Sequence, residues 1–210
     1  MLTQYHASIT RNALSEYFSP RALEAIIAAN LEQDNLRGQI GHDEYHFDNN
    51  AFEKSYAFIE AQRTLAISSL QDGDQPAAWT AFGRLTHTAQ DFYAHTNYVD
   101  LWLAHCADET RLSPPEIDPL VDELVDSPEL HSGKLYYPFE ALSFVPLLKR
   151  LVIPLLPRDS HAWMNLDAPE RGKRFEYAFE AAIKRTCYEF DRTVAGLSSV
   201  QVALFTGSSS

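Results

Sequence analysis

Cysteine, basic residues and long apolar runs are all scarce in this chain of 210 residues. Its two cysteines, Cys106 and Cys187, are too few for a disulfide scaffold and are typical of buried thiols in a reducing compartment, although a single disulfide between them stays open. The chain has 17 basic and 29 acidic residues and therefore a net charge of −12. This charge disfavours loose binding to nucleic acid or to an anionic membrane. No apolar run approaches the roughly 20 residues that span a bilayer, so we expect no transmembrane segment.

Signals for export and for two common enzyme classes are also missing. The amino-terminal sequence MLTQYHASITRN lacks a basic stretch followed by an apolar one, so we expect no secretory signal and a cytoplasmic protein. Non-classical secretion stays open. There is no glycine-rich phosphate loop and no G-x-S-x-G elbow, which argues against P-loop nucleotide hydrolases and against serine hydrolases of the α/β type.

Helical signals dominate the chain and predict an all-α, multi-helix bundle. Helix starts are predicted at Pro20 after the N-cap Ser19, at Asp48 or Asn49, at Pro76 and at Pro169. The last helix should run through Phe190 and could extend to Leu204. Residues 113–157 contain eight prolines, which predicts short helices and loops. We expect a single helical domain over residues 1–206 and a disordered tail over residues 207–210.

The most informative stretch is HTAQDFYAHTN, residues 87–97, inside the helix that Pro76 begins. His87, Asp91 and His95 are spaced four residues apart. Since four residues turn a helix by about 400°, the three side chains share one face and span about 12 Å. One tetrahedral ion cannot reach all three over that distance, but two or three neighbouring ions can, with Asp91 as a bridging carboxylate. The spacing therefore predicts a multi-metal site.

The alternative interpretation is a solvated His–Asp pair, which contributes only a few tenths of a kcal/mol on a helix surface. The rest of the face argues against it, because Trp79 and Gly83 precede the motif and Tyr98 (or Val99) and Trp102 follow it. A glycine inside a helix costs about 1 kcal/mol relative to alanine, which predicts the close approach of another group at Gly83. The opposite stripe is an ordinary core face: Phe82, Leu85, Ala89 and Phe92. We therefore expect the helix to be buried on both sides, where a His–Asp–His row needs partners or metal.

Other candidate ligands stand near predicted helix ends or in polar loops: His6, Asp34, His46 and His161. Imidazole and carboxylate groups without redox machinery favour zinc over iron. The remaining histidines are given lesser roles. His42 is either an outer neighbour of the site or a surface residue, and His105 and His131 are expected to be structural.

This ordered set resembles the zinc-dependent phospholipase C and single-strand nuclease superfamily, and more closely its Het-C-like branch. That branch shows the signature H-T-x-x-D-F-x-A-H-[ST]-N, which residues 87–97 match, and the resemblance extends from His6 to Asp167. It implies the helical bundle of the phospholipase C type, two or three Zn²⁺ ions, and a metal-binding domain over residues 1–206.

The resemblance also implies a role for individual residues. The implied ligands are His6, Asp34, His46, His87, the bridging Asp91, His95 and His161. The phospholipases complete the last site with a His-x-x-x-Glu pair, where this chain has Asn165 at the Glu position and Asp167 two residues later, so either can substitute. They also use the amino group and carbonyl of an N-terminal tryptophan, whereas Met1 stands first here. By the same analogy Asp34 is a catalytic general base as well as a ligand.

The segment YYPFEALSFVPLLKRLVIPLL, residues 136–156, is the candidate for substrate contact. It is apolar, aromatic and broken by prolines. One interpretation is a lipid-facing lid that contacts substrate through Tyr136, Phe139 and Phe144. The other is a core segment threaded between helices.

A carboxylate-bridged zinc cluster binds phosphate oxygens and lowers the pKa of water, which suits phosphodiester hydrolysis without a protein nucleophile. We therefore expect a phospholipase C-like phosphodiester hydrolase. The acidic composition favours a phospholipid or a small phosphodiester over nucleic acid, and peripheral membrane contact and oligomeric state stay open. The alternatives are a Het-C-like, metal-stabilised recognition protein without turnover, and a single-strand nuclease.

Overall fold

The computed structural model describes residues 1–39, 41–106, 112–143 and 146–208. Within them the only β pairing is two isolated bridges, Thr96 with Ser132 and Lys134 with Ser160. The helices are α1 (Thr3–Leu14), α2 (Pro20–Glu32), α3 (Leu36–Gln39), α4 (Asp43–His46), α5 (Phe52–Gln71), α6 (Gln75–His95), α7 (Tyr98–His105), α8 (Asp122–Val125), α9 (Phe139–Ser143), α10 (Pro146–Val152), α11 (His161–Met164), α12 (Lys173–Val194) and α13 (Ser199–Thr206). The predicted all-α, multi-helix bundle is confirmed. Among these helices, none has the length and apolarity needed to cross a bilayer.

Helix α6 lies at the centre of the bundle, with α2, α5 and α12 packed against it and α1 in contact with both α2 and α12. Its start is stabilised locally, because the Asp74 carboxylate accepts a hydrogen bond from the Ala77 amide and Pro76 occupies the first turn. Residues 85–96 are all buried. The motif helix is therefore buried on both sides, as predicted, and the solvated-pair interpretation is wrong.

Gly83 allows α2 to pack closely against α6. A β-carbon at this position would lie 2.4 Å from the Ile26 carbonyl oxygen and 2.7 Å from the Ala29 β-carbon. No side chain fits such a gap without displacing backbone, so the predicted close approach at Gly83 is confirmed. The contact also sets the position of the chain that leaves α2 towards Asp34.

Two helix boundaries at the centre of the molecule differ from the sequence prediction. The motif helix ends at His95, because Thr96 is extended with φ −111° and ψ 168°, so the predicted continuation of its face to Trp102 lies on a separate helix. Helix α5 begins at Phe52, after a 3-10 turn in which Asn49 and Asn50 have positive φ. The left-handed backbone at these asparagines prevents a regular helix from starting earlier.

The carboxyl-terminal helices also differ from the prediction. Pro169 opens only a short 3-10 turn, and Gly172, with φ 77°, separates this turn from α12. Helix α12 ends at Val194, and Ser198 caps the separate helix α13 by accepting a hydrogen bond from the Gln201 amide. The predicted helix through Phe190 is therefore confirmed, its start at Pro169 was wrong, and the extension to Leu204 that was left open does not occur.

The proline-rich part of the chain forms short helices and turns, as predicted, and has a small apolar cluster of its own. Val152, Leu156 and Ala162 form this cluster, with Tyr136, Ile153 and Trp163 packed around it. Several other side chains of the segment face solvent: Tyr137, Phe139, Leu151 and Leu155. For these side chains the interpretation as a threaded core segment is wrong. Phe144 lies outside the described residues.

Both cysteines are free and half-buried, so no disulfide joins Cys106 to Cys187. At the carboxyl terminus Gly207 adopts the left-handed conformation that ends α13, and the Ser208 amide donates to the Ala203 carbonyl. Residues 209–210 of the predicted disordered tail lie outside the described residues.

Candidate metal centre

All eight residues that the sequence suggests as metal ligands meet in one cluster around α6. They arrive from separate elements: His6 from α1, Asp34 after α2, His46 from α4, His87, Asp91 and His95 from α6, His161 from α11, and Asp167 just after α11. Three overlapping sets have ligand atoms close enough together to share an ion: His6, Asp34 and His87; His46, His87 and Asp91; and Asp48, His95 and His161. Metal binding by these residues stays a prediction. The structure shows that their side-chain nitrogen and oxygen atoms lie close enough together to share ions.

Asp91 lies between two groups of imidazoles, and each of its oxygens faces a different group. Oδ2 lies 2.9 Å from His46 Nδ1 and 3.1 Å from His87 Nε2. Oδ1 lies 3.2 Å from His6 Nε2 and 3.8 Å from His95 Nε2. Because the two oxygens point towards different nitrogen sets, this carboxylate has the geometry of a bridge between two ions.

The separations within the cluster match those of atoms that share a metal ion. Two ligand atoms about 2.1 Å from one tetrahedral zinc ion lie roughly 3.4 Å apart. His87 Nε2 lies 3.2 Å from His46 Nδ1 and 3.8 Å from Asp34 Oδ1. Asp34 Oδ2 is buried and has no hydrogen-bond partner. The donor set and its spacing therefore fit zinc.

Gln90 determines which nitrogen of His6 faces the cluster. The Gln90 amide nitrogen donates to the Thr10 and Thr186 hydroxyls, so its Oε1 accepts the bond of 2.7 Å from His6 Nδ1. His6 Nε2 then carries no proton, and its lone pair faces Asp91 Oδ1. The atom is buried and has no hydrogen-bond partner. Two acceptors 3.2 Å apart repel each other unless positive charge compensates them, and in the metal-free cluster the Met1 ammonium, which contacts Asp91 Oδ1, supplies it.

Asp48 belongs to the cluster but was missed by the sequence analysis. Its Oδ1 lies 2.8 Å from His161 Nδ1 and 3.6 Å from His95 Nδ1. It can ligate an ion directly, or it can orient His161 as carboxylates commonly orient metal-bound imidazoles. The available signal was its position two residues after His46 in a polar segment. Gln90, inside the motif itself, was missed in the same way.

The structure distinguishes between Asn165 and Asp167, the two residues that the sequence left as alternative partners of His161. Asn165 Oδ1 accepts hydrogen bonds from the Arg171 guanidinium at 2.7 and 3.1 Å, so this amide is engaged away from the cluster. Asp167 Oδ1 lies 3.3 Å from His95 Nε2. Of these two residues Asp167 is therefore the one that faces the cluster, while the set close enough to share an ion with His95 and His161 contains Asp48.

The α-amino group of Met1 is buried inside the same cluster. It contacts Asp91 Oδ1 and lies 3.4 Å from Asp167 Oδ1. Burial alone would lower the pKa of this amino group, but the surrounding carboxylates of Asp91, Asp167 and Asp34 raise it to about 11.

The histidines fall into two classes by protonation. Burial and the neighbouring His6 lower the pKa of His87 to about 4, and burial and the Met1 ammonium lower the pKa of His6. These two are neutral at pH 7 and ready to bind metal. Burial would lower the pKa of His161 as well, but Asp48 raises it to about 9. The pKa of His46 is raised through its hydrogen bond to Asp91, against the effect of burial.

Asp91 and Asp167 are carboxylates held in the charged form. Burial would raise the pKa of each, but the Met1 ammonium and the neighbouring imidazoles bring it well below its ordinary value. Both therefore stay ionised at neutral pH and are suited to bind a cation.

The other predicted site residues lie outside the cluster. His42 is partly exposed and stacks on Tyr45, and His105 and His131 are exposed. Tyr136 donates a hydrogen bond to Asp159 Oδ1 at 2.8 Å, and Phe139 is exposed. The role of both aromatics in binding substrate stays a prediction.

A family model described as the VWA7 N-terminal domain matches residues 2–123. The chain belongs to the VWA7 N-terminal domain family. No curated protein and no solved structure matches it.

The VWA7 N-terminal domain match covers most, but not all, of the metal cluster. The residues within it are His6, Asp34, His46, Asp48, His87, Asp91 and His95. His161 and Asp167 lie beyond the matched range, in the part of the chain that follows α10. The description of the family names no activity and no metal, so function has to be argued from the site.

Proposed function

We propose that this member of the VWA7 N-terminal domain family is a zinc-dependent phosphodiester hydrolase of the phospholipase C type. The observation that supports it most directly is the placement of Asp91, whose two oxygens face two different groups of imidazoles. A structural zinc site needs only four ligands around one ion, whereas a bridging carboxylate is typical of clusters that act on phosphate esters.

The ligands would divide around this bridge. His46 and His87 lie on the Oδ2 side of Asp91, His6 lies on the Oδ1 side, and Asp34 is close to both His6 and His87. His95, His161 and Asp167 would hold a further ion, with Asp48 orienting His161. When bound, zinc ions neutralise phosphate oxygens and lower the pKa of water towards neutrality.

Asp34 has the features of a general base. Its side chain is 16% exposed, Oδ1 faces His87 at 3.8 Å, and Oδ2 has no hydrogen-bond partner. That oxygen is free to accept a proton from water. Asp167 is the other partly exposed carboxylate, at 23%, while His87 and Asp91 are at most 1% exposed. Substrate would therefore approach from the side of Asp34 and Asp167.

The charge of the chain bears on the substrate. A net charge of −12 offers no extended basic track for a polyanion, so a phospholipid or a small phosphodiester is favoured over single-stranded nucleic acid. The resemblance of residues 87–97 to the zinc phospholipases supports the same choice.

A metal-stabilised recognition module without turnover is the second candidate. It is favoured by burial, because most of the cluster is excluded from solvent and such a closed set can serve structure alone. Metal binding would then be retained while hydrolysis is absent.

The test combines elemental analysis of purified protein with assays on a chromogenic phosphodiester, phosphatidylcholine and short single-stranded DNA at equal metal loading. We expect more than one equivalent of zinc, and faster hydrolysis of the lipid than of the DNA. Asp34→Asn should abolish hydrolysis, whereas the matched control Asp43→Asn should not, because Asp43 contacts Asn49 outside the cluster.

Each contrary result has a distinct meaning. Protein that binds no metal would overturn the proposal altogether. Metal-loaded protein that cleaves neither substrate would favour the recognition module, and faster cleavage of DNA would overturn the lipid assignment.

A further inference from the structure

The exposed apolar side chains of this protein are concentrated on one short stretch. Of the eleven exposed large hydrophobic side chains among the described residues, six lie between 137 and 155: Tyr137, Phe139, Leu142, Leu148, Leu151 and Leu155. We call this set the 137–155 face. Leu151 is 69% and Leu155 79% exposed, and it is the grouping of such side chains, not any single one, that is typical of an interaction surface.

The carboxyl-terminal part of this stretch, with the three residues that follow it, has the opposite charge to the chain as a whole. Residues 146–158 carry three basic side chains and no acidic one, in a protein with 29 acidic and 17 basic residues. Arg150 and Arg158 are exposed, and the Arg158 guanidinium lies 3.9 Å from the centre of the Trp163 ring. Of the nearby acidic groups, Asp159 pairs with Lys134 at 2.9 Å and Glu140 accepts from the Ala162 amide, while the charges of Asp43 and Asp48 act on the Tyr137 end of the face.

The 137–155 face is supported from beneath and held next to the metal centre. Its inner side packs on the separate apolar cluster around Val152 and Leu156. The Lys134 carbonyl accepts from the His161 amide, and buried Glu140 holds the amide that follows His161 in the chain. The face is thus an outward surface fixed close to a candidate ligand.

We propose that the 137–155 face docks the protein on an anionic phospholipid bilayer. Exposed leucines and aromatics beside arginines are the combination that binds the interface of a membrane, with apolar groups entering the acyl boundary and cations meeting the headgroups. The acidic remainder of the protein does not oppose this strongly, because at physiological salt charges beyond about 8 Å are screened. Docking requires no hydrolysis, so it stands independently of the proposed function.

The experiment measures sedimentation of the full-length protein with vesicles of phosphatidylcholine, with and without phosphatidylserine. We expect binding to the anionic vesicles to be about tenfold tighter and to weaken as salt rises, since each basic residue near such a surface adds attraction. The double variant Leu151→Asp/Leu155→Asp should abolish binding. Its matched control, Leu65→Asp/Val200→Asp, changes two exposed residues elsewhere and should bind like the unaltered protein.

Three further measurements separate the contribution of charge to vesicle binding from the hydrolytic activity. Arg150→Glu should weaken binding to anionic vesicles only, whereas Arg21→Glu, on the exposed surface of α2, should have no effect. Asp34→Asn should bind vesicles normally even when hydrolysis is lost, which distinguishes failure of docking from failure of the enzyme.

Three results would overturn the proposal. These are no binding by the unaltered protein, equal binding by the Leu151→Asp/Leu155→Asp variant, and equal affinity for both vesicle types. A concentration-dependent dimer that the leucine variant abolishes, without vesicle binding, would assign the face to a second copy of the chain. Circular dichroism and zinc content of each variant exclude misfolding as the cause.

Discussion

Asp91 shows at the scale of one residue how this site depends on exact placement. It is buried at the centre of α6, and the groups around it are four imidazoles and an ammonium. A buried carboxylate is costly unless it is compensated, and removing the compensation commonly costs several kcal/mol. Two imidazoles here, His6 and His87, are neutral at pH 7, so they offer lone pairs instead of charge. The local chemistry is therefore that of a cation site.

Asp91→Asn should release more zinc than either His87→Ala or His95→Ala. The middle carboxylate faces two nitrogen groups, whereas each histidine lies on one side of it. We expect loss of at least two equivalents per chain from the aspartate variant, measured by elemental analysis. His42→Ala, which removes a partly exposed imidazole outside the cluster, is the control and should keep its metal. Loss of one ion from all three cluster variants would argue against a bridge.

At the scale of elements, the site is assembled by the packing of helices against α6. Helix α2 can approach because position 83 is glycine, and this approach leads the chain to Asp34. Helix α4 holds His46 against α6, and α1, which packs on α2 and α12, directs His6 towards Gln90 and Asp91 of α6. The ligands therefore depend on interhelical distances as much as on their own identity.

Gly83→Ala should destabilise the fold despite alanine's higher helix propensity. The propensity gain is about 1 kcal/mol, but a β-carbon 2.4 Å from the Ile26 carbonyl oxygen forces α2 and α6 apart. Overpacking typically costs 1–3 kcal/mol, and a clash with backbone lies at the upper end of that range, so after the propensity gain we expect a net loss of up to about 2 kcal/mol in urea unfolding. Zinc affinity should fall with it. Gly196→Ala is the control, because no atom lies within 4 Å of its would-be β-carbon. Equal stability of the two variants would contradict the packing argument.

At the scale of the whole molecule, the charges of the metal-free cluster link folding to pH. His161 has a pKa of about 9 in the fold, against roughly 6.5 in an unfolded chain. Its ion pair with Asp48 therefore stabilises the fold fully below pH 6.5, and this contribution is lost as the pH rises to 9. His87 titrates on the acid side and contributes nothing in that window.

In the presence of a chelator, the free energy of unfolding should therefore fall between pH 6.5 and pH 9, by up to about 3 kcal/mol. His161→Gln should show a smaller fall, because the titrating partner of Asp48 is gone. The α-amino group of Met1, with a pKa of about 11, adds a loss only above about pH 8. Urea unfolding across the pH range measures both slopes. Identical slopes for the variant and the unaltered chain would exclude the His161–Asp48 pair as the cause.

Interactions between residues close together in the chain allowed much of this fold to be predicted from the sequence. The helical period places His87, Asp91 and His95 on one face, the N-cap at Ser19 and Pro20 begins α2, and the unfavourable glycine at 83 signals a close contact. Each of these depends on residues within a few positions of one another, which is why the all-α class and the core of the site could be predicted. Helix ends were less well predicted. Asn49 and Asn50 have positive φ, and local sequence preferences alone do not determine whether an asparagine adopts this conformation.

The sequence by itself thus determined the all-α class and the row of His87, Asp91 and His95 along one helix. Only the tertiary structure decided that Asp48 joins them, that Gln90 orients His6, and that Asp167 faces the site while Arg171 holds Asn165 away. The physical reason is that these contacts join residues far apart in the chain. They exist only after the helices pack, and the surrounding side chains then decide which of several similar polar groups is free to bind.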